Sequence, residues 1–295
     1  MKILLTGATG FVGRALVPRL LTAGHDCVVL SRRPNAGARR LPPTVHMLSY
    51  DDVWPAADAV INLAGETIAG WWTPDKRRRI MNSRLQITRR LVAWMATASP
   101  RPRTLLSMSA VGIYGHRPGE IITEASSPDP AQAFRARVCR AWEAEARAAG
   151  RYGVRVVTLR LGNVLHPAGG YLGALLALYR RLPVVGLAPA RTCFSWVSRR
   201  DAVRMVRFAL ENDVPQGPLN VTAPRSVSQG VFTRALARRL GKRLWGRLPT
   251  WALRLGLGAF AATLLDSLDV RPAKARELGF RFDDPRLPPY LARVL

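Results

Sequence analysis

A short apolar strand that runs straight into a glycine turn and then into an amphipathic helix opens this chain, and few folds accept that arrangement. The first residues read MKILLTGATGFVG, from Met1 to Gly13. A helical pattern follows, with Phe11, Ala15, Leu16, Leu20 and Leu21 on one face. Strand, glycine turn and helix in this order are the layout that holds the pyrophosphate of a dinucleotide. Gly7 permits the tight turn. Gly10 lets the backbone approach the phosphates, and Gly13 lets the helix pack closely on the strand. The free N–H groups at the helix start then face the anion.

Apolar runs alternate with helical patterns through the first half of the chain. Strands are predicted at Ile3–Leu5, Cys27–Leu30, Val45–Leu48, Ala59–Leu63, Thr104–Met108 and Val154–Leu159. Helices are predicted between most of them, at Val12–Ala23, Pro74–Ala98 and Ala131–Ala149. Thr73-Pro74 is a good start for the long second helix, with threonine as N-cap and proline in the first turn. This alternation predicts an α/β fold, a Rossmann-type doubly wound parallel sheet with helices on both faces. Beyond about Leu165 the regularity fades. Helices are expected at Tyr171–Arg181, Asp201–Glu211 and Ser228–Leu240, separated by loops rich in proline and glycine. The reading is a dinucleotide-binding domain over 1–165, with later segments free to return to its sheet. A smaller, mostly helical substrate lobe would occupy 166–295.

The formal charge of +26 raises a second class of function, docking on nucleic acid or on an anionic membrane surface. Lysine occurs only at positions 2, 76, 242 and 274, so 41 of the 45 basic residues are arginine. A GC-rich codon bias produces that skew, and no nucleic-acid module stands out. Lys2 is followed by a strand pattern and not by an apolar leader, so no signal peptide is expected. Trp251 to Leu265 is the longest apolar run; Arg254 breaks it, and it reads as a buried or interfacial helix and not a span. Cys27, Cys139 and Cys193 are scattered and odd in number, which points to a reducing, cytoplasmic compartment and to no metal site.

The second strand addresses the choice of cofactor. An acidic residue at its end accepts hydrogen bonds from the ribose of NAD in many such folds. Here the strand ends in Ser31-Arg32-Arg33. A hydroxyl and two guanidinium groups suit a 2′-phosphate, which favours NADP over NAD. The fourth strand ends in Asn62-Leu63-Ala64-Gly65, where small residues leave room for adenosine and ribose.

Taken together these segments resemble the extended class of the short-chain dehydrogenase/reductase superfamily. The resemblance rests on TGATGFVG, on the NLAG strand end, on Ser107-Met108-Ser109-Ala110 with Tyr114-Gly115, and on Arg160-Leu161-Gly162-Asn163-Val164-Leu165. Finer features are similar to an epimerase-like branch of poorly defined substrate. They are Asn62 to Gly70 (NLAGETIAG), Trp72-Thr73 with Ser83-Arg84, Val138 to Glu143 (VCRAWE), Phe194 to Val197 with Asp201, and Pro272 with Leu278 to Phe282. The last of these resembles the signature of a short C-terminal domain, here about 246–295. The resemblance implies cofactor contacts from Thr9, Gly10, Phe11 and Val12, from Ser31 and Arg32, from Leu63 and Ala64, from Arg84, and around Asn163 and Val164. Arg84 also has a physical reason, since a cation on a long helix beside the sheet edge can meet a phosphate. The resemblance further implies dimerisation through Pro74–Ala98 and Ala131–Ala149.

Members of the extended class pair a serine or threonine with a Tyr-x-x-x-Lys dyad, in which the tyrosine moves the proton. Ser109 can fill the serine role. The dyad is absent: Cys139 stands where tyrosine is expected and Glu143 where lysine is expected. Cys139 and Tyr114 are weak candidates for the proton carrier, because a thiol is a poor substitute and Tyr114 suits packing or substrate binding. The branch's SWIHxxD histidine is Ser198 here, and its glycine-rich substrate loop is eroded to Pro183 through Arg191. Three functions stay open at this point. One is an NADP-binding, epimerase-like oxidoreductase for a small polar or nucleotide-linked substrate. The others are a non-catalytic NADP-binding scaffold or redox-responsive regulator, and a basic scaffold on a polyanionic surface.

Overall fold

The computed structural model describes residues 1–130, 133–212 and 214–295. Its centre is a sheet of β1 (Lys2–Thr6), β2 (Asp26–Leu30), β3 (His46–Leu48), β4 (Ala59–Asn62), β5 (Thr104–Ala110), β6 (Arg155–Leu161) and β7 (Gly217–Val221). The order is 3-2-1-4-5-6-7 and every pairing is parallel. Ile3, Leu4, Leu5, Val60, Ile61, Leu105 and Leu106 are fully buried, which is why these strands read as continuous apolar runs. The order reverses between β1 and β4, and that switch point opens a crevice at the carboxyl ends of the strands. Thr6, Asn62 and Ser107 lie in register there.

Counting helices of eight residues or more, α1 (Gly13–Thr22), α2 (Pro74–Thr97) and α3 (Phe134–Arg147) occupy the predicted places. Thr73 caps α2 by accepting from the Lys76 N–H at 3.2 Å. Ala131 and Gln132, the first residues expected in α3, lie outside the described residues; a tight helical turn over Ala148–Tyr152 replaces its expected end. Further on come α4 (Gly170–Arg181), α5 (Arg199–Glu211), α6 (Gln229–Arg239), α7 (Thr250–Leu257) and α8 (Leu287–Val294). Helices α2 and α3 cover one face of the sheet with Ile87, Leu91, Met95 and Ala146. Helices α1 and α5 cover the other, with Leu16, Leu20, Ala202, Met205 and Val206. The sheet therefore draws on α5 and β7 from the second half of the chain. A separate core of Leu172, Tyr179, Trp196, Phe232, Leu236 and Leu291 binds α4, α6 and α8 together.

The stretch from Trp251 to Leu265 departs from its expected form. It is not one helix: Gly258 turns with φ +55° between α7 and a short helix at Ala261–Leu265. It is buried only in part: Leu253 is 4% exposed, whereas Trp251 is 68% and Leu255 71% exposed. No helix among the described residues is long and apolar enough to cross a membrane.

Candidate functional site

The glycine turn sits at the switch point and admits no side chains where the glycines stand. Gly7 has φ +68°, and a Cβ there would lie 2.5 Å from the Leu63 carbonyl carbon. A Cβ on Gly13 would lie 2.4 Å from the Ala8 carbonyl oxygen. The turn thus brings the ends of β1 and β4 and the start of α1 into backbone contact. The N-cap of α1, Val12, offers no side-chain hydrogen bond, and its first turn holds no acidic residue. The positive end of the helix is left for an anion. Phe11 is clamped beside it by Gly169 and Gly170, while Arg199 lies 5.3 Å over its ring and His166 edge-on at 6.5 Å. Burial and then the Arg199 charge lower the His166 pKa, so this histidine is held neutral against the turn.

A cleft of about 560 Å³ runs from this turn over the strand ends. Of the cofactor residues expected from sequence, Gly7, Gly10, Phe11, Val12, Gly13, Leu63, Gly65, Arg84 and Asn163 line it. Ser31, Arg32 and Arg33 stand at the end of β2, with the Arg33 N–H donating to Ser31 Oγ at 3.1 Å. Both guanidiniums are exposed, and Arg32 lies within electrostatic reach of Glu66 and Tyr50. Thr9 and Ser31 both approach Gly37, which joins this group to the glycine turn. Ala64 is 9% exposed, and its N–H donates to Asn62 Oδ1 at 3.3 Å.

Ser83 and Arg84 grip the loop that follows β4. The Glu66 N–H donates to Ser83 Oγ at 2.9 Å, and Arg84 Nη1 donates to the carbonyls of Glu66 and Ile80 at 3.2 and 2.9 Å. The Arg84 guanidinium lies 5.1 Å over the Trp142 ring and against Gly65, and burial lowers its pKa. Asn163 is spent structurally, as both its N–H and its Nδ2 donate to the Ser195 carbonyl at 3.0 Å. Val164 corrects the expectation for its side chain. It pairs with Val197, is 8% exposed and does not line the cleft, so only its backbone is near the site.

The floor of the cleft holds a buried polar network. Ser109 Oγ donates to Glu143 Oε1 at 2.7 Å. Arg160 holds the same carboxylate with two bonds, Nε to Oε1 at 2.9 Å and Nη2 to Oε2 at 2.9 Å. Arg160 Nη1 also donates to the Tyr114 hydroxyl at 2.8 Å, which in turn donates to Asn220 Oδ1 on β7 at 2.8 Å. Burial alone would lower the Arg160 pKa; Glu143 outweighs it and holds the guanidinium above its ordinary value. Glu143 and Arg160 are missing from the sequence-based site. Their signal was there: one arginine within the apolar strand VVTLRL and one glutamate on the buried face of VCRAWE must meet or each stand as an unpaired charge.

Two candidate proton carriers are corrected by this network. Tyr114 is fully buried, is not in the cleft lining and has its hydroxyl engaged on both sides; burial raises its pKa. Cys139 does line the cleft, but burial and then the Glu143 charge push its thiol up to about 11. At neutral pH it is a packed thiol and not a proton acceptor.

Trp72, Phe134, Val138, Leu264 and Leu268 make an apolar part of the cleft wall. Trp72 meets Phe134 edge-on at 5.2 Å and Phe260 at 6.1 Å. Arg135 enters this wall as an ion pair with Asp266, and His116 Nδ1 lies 3.6 Å from the same carboxylate.

Comparison with known proteins matches residues 3–222 to the model of the NAD dependent epimerase/dehydratase family. Residues 248–294 match a domain of unknown function, DUF1731. An epimerase family protein of Arabidopsis thaliana, the chloroplastic SDR39U1 homolog, is 34% identical over 96% of this chain and 83% of its own length. The epimerase family protein YfhF of Bacillus subtilis is 33% identical over 96% of this chain and 94% of its own. The crystal structure of human epimerase family protein SDR39U1 (isoform 2) with NADPH superposes with a TM-score of 0.90. It is 28% identical and covers 100% of this chain and 99% of the human one.

Proposed function

The chain belongs to the NAD-dependent epimerase/dehydratase family, and on that premise we propose that it is an NADP-binding, cytoplasmic oxidoreductase acting on a small molecule. One observation carries the cofactor half. The uncapped start of α1, cradled by Gly7 and Gly13, faces the same cleft as Leu63, Gly65 and Arg84, and β2 beside it ends in Ser31-Arg32-Arg33. The residues present fit NADP. The turn from Gly7 to Gly13 would hold the pyrophosphate, and Arg32 and Arg33 would hold the 2′-phosphate. The human relative solved with NADPH supports this reading. A fluorescence titration should show NADPH bound more tightly than NADH, and Arg32→Glu should weaken NADPH on the order of tenfold while leaving NADH nearly unchanged. Equal affinities for both cofactors in the native protein would overturn the assignment.

When bound, the cofactor supplies or takes up a hydride; the chain's own residues hold the substrate oxygen. The proton of Ser109 is directed at Glu143. Arg160 occupies that carboxylate with two further bonds, so the Ser109 proton stays turned to Glu143 and toward the cleft its oxygen offers lone pairs. The site therefore receives a hydrogen bond, and the form it holds best is an alcohol. Ser109→Ala should bind NADPH normally and lose about 10²-fold in the rate of NADP reduction with the alcohols it uses. Binding of NADPH without turnover in the native protein, across a panel of alcohols and ketones, would instead support the non-catalytic reading.

A further inference from the structure

Resting on the NADP reading of the cleft, we infer that the substrate half takes an apolar, ring-sized alcohol and not the polar or nucleotide-linked compound expected from sequence. The cleft lining includes the apolar side chains of Trp72, Phe134, Val138, Leu264 and Leu268 and the Cys139 thiol, alongside Thr263, Gln229 and the Arg135–Asp266 pair. Trp72 presents only carbon, because its Nε1–H already donates to the Ile68 carbonyl at 2.6 Å. Its edge-on contact with Phe134 leaves aromatic surface against which a ring can stack or stand edge-on.

A nucleotide-linked substrate brings a diphosphate, and a buried diphosphate needs cations and donors to replace its water. Arg135 is the cation of this wall, and Asp266 cancels it. Asp266 is 12% and Arg135 15% exposed, so the pair is shielded and does not open readily to a competing anion. The floor agrees with the walls, since Ser109 is poised to accept from one hydroxyl. A hydroxyl acceptor beside Trp72, Phe134, Val138, Leu264 and Leu268 favours an alcohol on an apolar ring.

The probes are 1-indanol, 1-tetralol and cyclohexanol against UDP-glucose, measured by calorimetry and tryptophan fluorescence on the full chain with and without NADP. At least one cyclic alcohol should bind at millimolar or lower concentration, with UDP-glucose weaker by tenfold or more. Phe134→Ala should weaken the alcohol at least tenfold. Asp266→Ala, which frees Arg135, should strengthen UDP-glucose at least tenfold and change the alcohol less than threefold. Melting curves and NADPH titrations of each variant separate lost folding or cofactor binding from lost substrate contact. The inference is overturned if UDP-glucose binds the native protein more tightly than every cyclic alcohol, if no cyclic alcohol binds, or if folded Phe134→Ala binds the alcohol unchanged. Failure of NADPH to bind overturns the cofactor reading alone, because the comparison of alcohol with UDP-glucose can still be made on the cofactor-free protein.

Discussion

Gly7→Ala is expected to lower NADPH affinity at least a hundredfold and to destabilise the protein by about 2–5 kcal/mol. Two costs combine. Gly7 has φ +68°, a region that strains any residue with a Cβ. The added carbon would also lie 2.5 Å from the Leu63 carbonyl carbon and 2.6 Å from the Ala64 nitrogen. Those atoms are backbone at the end of β4, so relief requires β1 and β4 to part where the cofactor would sit. Gly24→Ala separates the two costs. Gly24 has φ +78°, and a Cβ there meets nothing within 4 Å. It should therefore lose only about 1 kcal/mol and bind NADPH like the native protein. Thermal unfolding and NADPH titration of both variants test the argument. If Gly24→Ala impaired binding as much as Gly7→Ala, the close approach of the two strand ends would not be what shapes the cleft.

How much of this was legible depended on whether the signal was local. The first six strands and the six anticipated helices are periodic over enough residues to announce themselves, and the structure places each within a few positions. Strand β7 carries no strand signal of its own, although later segments are free to rejoin the sheet. It reads Gly217-Pro218-Leu219-Asn220-Val221, which has the proline of an edge strand and too short an apolar run to stand out. Only its partner β6 makes it a strand. The run from Trp251 to Leu265 misled for the opposite reason, since its composition is helical while Gly258 bends the chain. On the site side, the glycine turn and the Ser31-Arg32-Arg33 strand end were readable because each function sits in consecutive residues. The Ser109 network is legible only as two charges, Arg160 and Glu143, that each need a buried partner. It joins β5, α3, β6 and β7, and no local pattern reports that Arg160 lies beside Ser109 in register. Glu143 stands where the resemblance puts a lysine, and that place masks its part in a buried pair.

That pair should dominate the energetics of the floor. Arg160→Met is expected to cost about 3–5 kcal/mol, a fall of roughly 10 °C in Tm. The substitution removes two of the charge-assisted hydrogen bonds to Glu143 and leaves a carboxylate that is 1% exposed. Arg147 does not replace them: its Nη1 is 3.5 Å from Glu143 Oε2, and its side chain is 57% exposed. Ser109 remains, at 2.7 Å, but one hydroxyl does not neutralise a buried charge. If the cost is the stranded charge, removing that charge as well should recover most of it. Glu143→Gln combined with Arg160→Met should lie within about 1–2 kcal/mol of the native protein. The glutamine carbonyl can still accept from Ser109, so the floor keeps its shape. Chemical denaturation of the native protein, both single variants and the double variant closes the cycle. Equal destabilisation of the single Arg160→Met and the double variant would mean that packing around Arg160, including its place 4.9 Å from the Tyr114 ring centroid, supports the floor, and not its charge.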